Sequence, residues 1–75
     1  MPRLPRITGD ELLRTLEREG WREVRRRGSH VVLRNDSRAG RVVVPVHSGR
    51  TLKPKTLLSI IDSAGISPDE LRRLL

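Results

Sequence analysis

Apolar residues recur along this chain with two periods, and those periods divide it into elements. Leu12, Leu13 and Leu16 are spaced as one face of a helix. They follow Thr8-Gly9-Asp10-Glu11, a capping box in which a hydroxyl and a carboxylate satisfy free amides at a helix start. Gly20 stands where such a helix stops, so the spacing predicts a first helix over 9–19. The period then shortens to two. His30–Asn35 and Arg41–Val46 are rich in valine and leucine, with turn clusters at Gly28-Ser29 and over 36–40. Trp21 to Arg27 has no apolar face. Its place before Gly28 predicts a strand, with Trp21, Glu23 and Arg25 on one side and Arg22, Val24 and Arg26 on the other. His47 to Lys53 is a polar loop. Pro54 suits the first turn of a second helix, and Leu57, Ile60, Ile61 and Ala64 form its apolar stripe up to Gly65. Ser67-Pro68-Asp69-Glu70 is another capping box, opening a short last helix.

This order is α-β-β-β-α with a C-terminal helical turn, an α+β fold. Three strands joined by short loops make an antiparallel meander, and the helices must cover one face to bury their stripes. Alternation then sends Val31, Leu33, Val42, Val44 and Val46 toward the helices. The open face receives His30, Val32, Arg34, Arg41, Val43, Pro45 and His47. Trp21 is expected in the core and Gly28 to relieve turn strain. Residues 1–7 form a short arm with Pro2 and Pro5.

Length sharpens the picture. Seventy-five residues make one domain, 1–75, with a thin core. No apolar run approaches the roughly 18 residues of a membrane span, and the N-terminus lacks the apolar core of a secretory signal. The cytoplasm is the expected compartment, with no membrane partner. Cysteine is absent, which removes disulfides, thiolate zinc sites and cysteine nucleophiles. The net charge is +7, and it is concentrated. Trp21 to Lys55 holds ten basic residues against Glu23 and Asp36, while the remainder is close to neutral. A middle segment this basic suits a polyanion, and nucleic acid is the usual one.

What is missing narrows the chemistry. Trp21 is the only aromatic residue, which disfavours readers that stack bases on several rings. No glycine-rich phosphate loop is present. The carboxylates lie mostly at helix caps and helix faces, which disfavours a two-metal nuclease, and no metal or other cofactor is expected. Ser29 and His30 are strand neighbours and point apart, so a serine–histidine dyad is poor. One reaction survives. RNA carries its own nucleophile, the 2′-OH, and internal attack needs a general base and cations around the developing phosphorane charge. His30 with Arg34 and Arg41 meets that need; an ordinary exposed strand histidine is the plain alternative. His47 is a second candidate for contact with phosphate. Arg25, Arg26 and Arg27 form either a solvated edge or part of an RNA seat.

Three stretches carry a family likeness: Gly28-Ser29-His30-Val31-Val32-Leu33-Arg34, then Val44-Pro45-Val46-His47-Ser48-Gly49, then residues 52–65 from Leu52-Lys53-Pro54-Lys55-Thr56-Leu57 to Ala64-Gly65. In this order and spacing the chain resembles the HicA toxin (YcfA-like) family, from about Thr8 to Leu75. The resemblance implies a double-stranded-RNA-binding-domain-like fold. It also implies a metal-independent mRNA interferase held in check by a HicB-type antitoxin that covers its active site. The family's catalytic histidine is that of the Gly-Ser-His motif, His30 here. Lys55 stands where relatives commonly have glycine, which adds a charge beside the second helix.

The expected function is therefore an endoribonuclease toxin. His30 is its general base, and Arg25, Arg26, Arg27, Ser29, Arg34, Arg41, His47, Lys53 and Lys55 are its RNA contacts. Two alternatives stay open: a non-catalytic RNA-binding module of the same fold, and a protein whose basic face docks an acidic partner.

Overall fold

The computed structural model describes residues 4–75; the first three residues of the N-terminal arm lie outside them. The capping box at Thr8 is complete. The Thr8 amide donates to the Glu11 carboxylate at 2.9 Å, and the Glu11 amide donates to the Thr8 hydroxyl at 3.2 Å. The Thr8 amide, and then its hydroxyl, hold the Glu11 carboxyl below its ordinary pKa. This cap opens α1 (Gly9–Arg18), which buries Leu12, Leu13, Thr15 and Leu16. Thr15 is satisfied inside the helix, its hydroxyl donating to the Glu11 carbonyl at 3.0 Å. Trp21 then enters the core, 3% exposed.

Three antiparallel strands follow in the order β1-β2-β3: β1 (Arg22–Arg27), β2 (His30–Asn35) and β3 (Arg38–Pro45). Gly28-Ser29 joins the first two. Gly28 has φ +56°, at the position that a two-residue hairpin reserves for a left-handed residue.

Two features correct the pattern of alternation. The register passes from Glu23↔Leu33 to Arg25↔Val32, so Val24 is an extra residue in a β-bulge. Beyond the bulge the sides exchange. Arg22, Arg25 and Arg27 therefore share one face and Glu23 and Arg26 the other, in place of the simple alternation expected for this strand. The second correction concerns the turn expected over 36–40. The turn is only Asp36-Ser37, and β3 begins at Arg38 rather than Arg41. The Ser37 amide donates to the Asn35 side-chain oxygen at 2.9 Å, which closes a tight turn. The register then steps from Asn35↔Arg38 to Arg34↔Arg41, so Ala39 and Gly40 are absorbed as an irregularity, with Gly40 at φ +81°.

Pro54 starts α2 (Pro54–Ser63), which buries Leu57, Ile60 and Ile61. The second capping box forms at Ser67 and Glu70 and opens α3 (Pro68–Leu74), which buries Leu71. Both α1 and α2 pack on β3. The sheet contributes Val31, Leu33, Val42 and Val44 to one apolar cluster, against which Val46 is partly buried. All six β1 residues are exposed. β1 is an edge strand and the helices pack on β3, so even its helix-side residues Glu23 and Arg26, ion-paired at 3.2 Å, stay exposed. The result is the expected α+β, double-stranded-RNA-binding-domain-like arrangement, with one sheet face open. Among the described residues no helix is long and apolar enough to cross a membrane.

The chain before α1 is tied to the loop before α2. The Leu52 amide donates to the Ile7 carbonyl at 2.8 Å, and Thr8 and Thr51 form a bridge. This tie holds the His47–Lys53 loop beside the end of β3.

Candidate active site and nucleic-acid interface

Residues paired across an antiparallel sheet project from the same face. The register therefore sets out the open face as three rows. One row is Arg27, His30 and Pro45; the next is Arg25, Val32 and Val43; the last is Arg22, Arg34 and Arg41. Arginine and histidine supply six of these nine positions, and no carboxylate is among them. The face is a continuous cationic surface over an apolar middle.

His30 is held at one end of that face. It follows the Gly28-Ser29 turn directly, and the Ser29 carbonyl accepts from the Val46 amide at 2.7 Å. The turn is thus fastened to the end of β3 as well as to β1. The His30 side chain is exposed and lines a shallow groove. Val43 and Pro45 form the sheet side of the groove, and Lys55, Thr56, Ser59 and Ile60 of α2 form the other. No group among the described residues hydrogen-bonds the His30 imidazole, so neither ring nitrogen is committed to the fold.

A second, more enclosed pocket adjoins the groove and shares Pro45 and Thr56 with it. His47, Arg50, Thr51, Leu52 and Lys53 complete its lining. Three groups that can carry positive charge thus surround a cavity beside His30, which suits a phosphate.

The residues singled out from the sequence distribute as follows. Arg25, Arg27, Arg34 and Arg41 share the open face with His30. Lys55 stands across the groove from it, and His47 and Lys53 line the adjoining pocket. Ser29 is half-buried in the turn behind His30. Arg26 is not brought to this face; it lies on the helix side, bonded to Glu23. Two arginines join the site that the sequence reading left out. Arg22 arrives through the bulge, which strict alternation does not reveal. Arg50 arrives through the tie between its loop and Ile7, of which its charge was the only signal. Among the described residues no three His, Cys, Asp or Glu side chains gather where they could hold a metal ion.

The guanidinium groups differ in their commitments. Arg22 pairs with Asp36 at 2.9 Å, and Arg34 reaches the Gly40 carbonyl at 3.4 Å. Arg25, Arg27 and Arg41 have no partner among the described residues. Such groups are available to an anionic ligand without first breaking a bond.

A family model described as the HicA toxin of bacterial toxin–antitoxin matches residues 9–66. That span runs from the first residue of α1 to the residue before the Ser67 cap. It contains the whole sheet, the groove and the adjoining pocket. No curated protein matches the chain.

Proposed function

The chain belongs to the HicA toxin family, the toxin side of a toxin–antitoxin pair, and we propose that it is an endoribonuclease that uses His30 as general base. In this reading an RNA strand lies on the open face with a phosphodiester in the groove. The neutral imidazole takes the proton of a ribose 2′-OH. The 2′-oxygen attacks the adjacent phosphorus, the bond from phosphorus to the 5′-oxygen breaks, and water in the open groove gives that leaving oxygen its proton. The products are a 2′,3′-cyclic phosphate and a 5′-hydroxyl. Negative charge grows on the phosphorane oxygens as the first bond forms. Arg27, which is His30's neighbour in the row, and Lys55 across the groove supply the cations. Arg25 in the adjacent row, with the pocket of His47, Arg50 and Lys53, seats the neighbouring phosphates.

The observation that carries this reading is the exposed, uncommitted imidazole bordering a groove, with Lys55 on the groove's other side and Arg27 beside the ring in the sheet. The same observation supports a second reading. No group orients the ring, as a non-catalytic RNA-binding module of the same fold would allow. The substitution His30→Ala separates the two. The ribonuclease reading expects cleavage to be lost with RNA affinity within about twofold of wild type, since the arginine and lysine contacts that hold the strand remain. Equal cleavage by both proteins overturns it. The partner antitoxin, proposed to be of the HicB type, inhibits by covering this groove. RNA and antitoxin should therefore compete for the toxin.

A further inference from the structure

The end of the open face farthest from His30 carries a row that the proposed chemistry does not use. Arg22 stands opposite Arg34, and Arg34 opposite Arg41. Three like charges thus lie side by side across all three strands, an arrangement that works against strand pairing. The fold compensates it only in part. Asp36 offsets Arg22, a carbonyl receives Arg34 through a long bond, and Arg41 has no partner among the described residues. The row contributes nothing to the core either, for all three side chains are exposed and the helices cover the opposite face. Guanidinium forks match phosphate oxygens, and a row of them held on rigid strands loses little freedom on binding.

Distance along the sheet gives the row a role distinct from that of His30. Arg34 lies four residues along β2 from His30, and Arg41 four along β3 from Pro45. At about 3.4 Å per residue the separation is roughly 14 Å. A stacked nucleic-acid strand advances about 3.4 Å per nucleotide, so the row meets phosphates about four nucleotides from the scissile bond, fewer if the strand is extended. Val32, half-buried, and Val43, 37% exposed, form a low apolar floor between the two ends. A strand crosses it without obstruction.

We infer that Arg22, Arg34 and Arg41 form a distal phosphate subsite, so that productive binding requires RNA that extends several nucleotides from the cleaved bond. The inference rests on the ribonuclease reading for the position of cleavage. Its binding arm does not need cleavage.

The test uses the full chain and the double variant Arg34→Gln/Arg41→Gln, which leaves the Arg22–Asp36 pair in place. The probes are fully 2′-O-methylated oligouridines of three and twelve nucleotides, which cannot be cut by internal attack. Fluorescence anisotropy over a salt series is expected to show at least a tenfold loss of affinity for the longer probe and none for the shorter. The dependence of log affinity on log salt should flatten by about 1.4, at roughly 0.7 per single-strand phosphate contact. With cleavable RNA of the same lengths, KM should rise for the longer substrate while kcat is kept. The thermal midpoint of the variant should equal or exceed that of wild type, because repulsion within the row is relieved. Wild-type affinity and salt slope in the variant overturn the subsite and assign the row to an acidic protein partner. A clearly lower midpoint overturns the claim that the fold does not need the row. A wild type that binds both probes but cuts neither RNA refutes the general-base reading of His30, and the anisotropy comparison still decides the subsite.

Discussion

Replacing Gly9 by alanine should destabilise this protein, although helix propensity argues for the opposite. Gly9 is the first residue of α1 and is buried against the end of β3. In a helix interior alanine is favoured over glycine by about 1 kcal/mol. Here the added methyl would collide with the Pro45 carbonyl oxygen and stand 3.1 Å from the Val46 Cα and 3.2 Å from the Pro45 carbonyl carbon. All three are backbone atoms, and no side-chain rotation relieves them. The helix must instead lift from β3, which loosens Leu12 and Leu13 in the core. Overpacking costs about 1–3 kcal/mol, and a collision with backbone that cannot rotate away falls in the upper part of that range, about 2–3 kcal/mol, leaving a net loss of about 1–2 kcal/mol after the propensity gain. For a domain of this size, at 4–8 °C per kcal/mol, the melting midpoint should fall by roughly 5–15 °C. Thermal unfolding followed by circular dichroism measures this directly. Pro45 is also the cross-strand partner of His30, so the displacement should reach the groove and lower RNA cleavage in the folded variant. Gly28→Ala is the informative control, because a methyl there meets open space and any loss reflects only its φ of +56°. A Gly9→Ala midpoint at or above that of wild type would refute the reasoning.

Three further outcomes follow from the geometry. The lowered pKa of Glu11 means that its carboxylate is stabilised in the folded state, so its contribution is fully present above the unfolded pKa and fades as pH falls through the folded one. The gap in melting midpoint between wild type and Glu11→Ala should therefore narrow below about pH 4, and a gap independent of pH would refute this. Asn35→Ala removes the acceptor for the Ser37 amide and the donor that reaches the Glu19 carbonyl at 3.1 Å. A loss of about 1–3 kcal/mol in urea unfolding is expected, and a neutral result would show that water replaces both bonds. Lys55→Met should slow single-turnover cleavage at saturating RNA by about tenfold, less than for an enclosed oxyanion site because the groove is open. An unchanged rate would limit Lys55 to binding.

The helices were legible in the sequence because capping and periodicity are local. Thr8 with Glu11 and Ser67 with Glu70 cap as read, and the Leu12–Leu16 and Leu57–Ala64 stripes are the buried faces. The same holds for β2 and β3, where alternating valines placed His30, Arg34 and Arg41 on one face before any register was known. β1 was harder, since charges on both sides hide its alternation and the Val24 bulge reverses it. That bulge carries Arg22 to the open face and leaves Arg26 behind. The turn is shorter than the 36–40 that composition suggests, because the Asn35 side chain closes a tighter one. The pocket around Arg50 depends on hydrogen bonds between residues more than 40 positions apart, beyond the reach of any local pattern.

End-group analysis of RNA cut in the presence of EDTA, by wild type and by His30→Ala side by side, tests the central claim most directly. The account predicts 2′,3′-cyclic phosphate and 5′-hydroxyl ends from the wild type, and intact RNA from the variant. Cleavage that requires added magnesium, or equal cleavage by the variant, would contradict it.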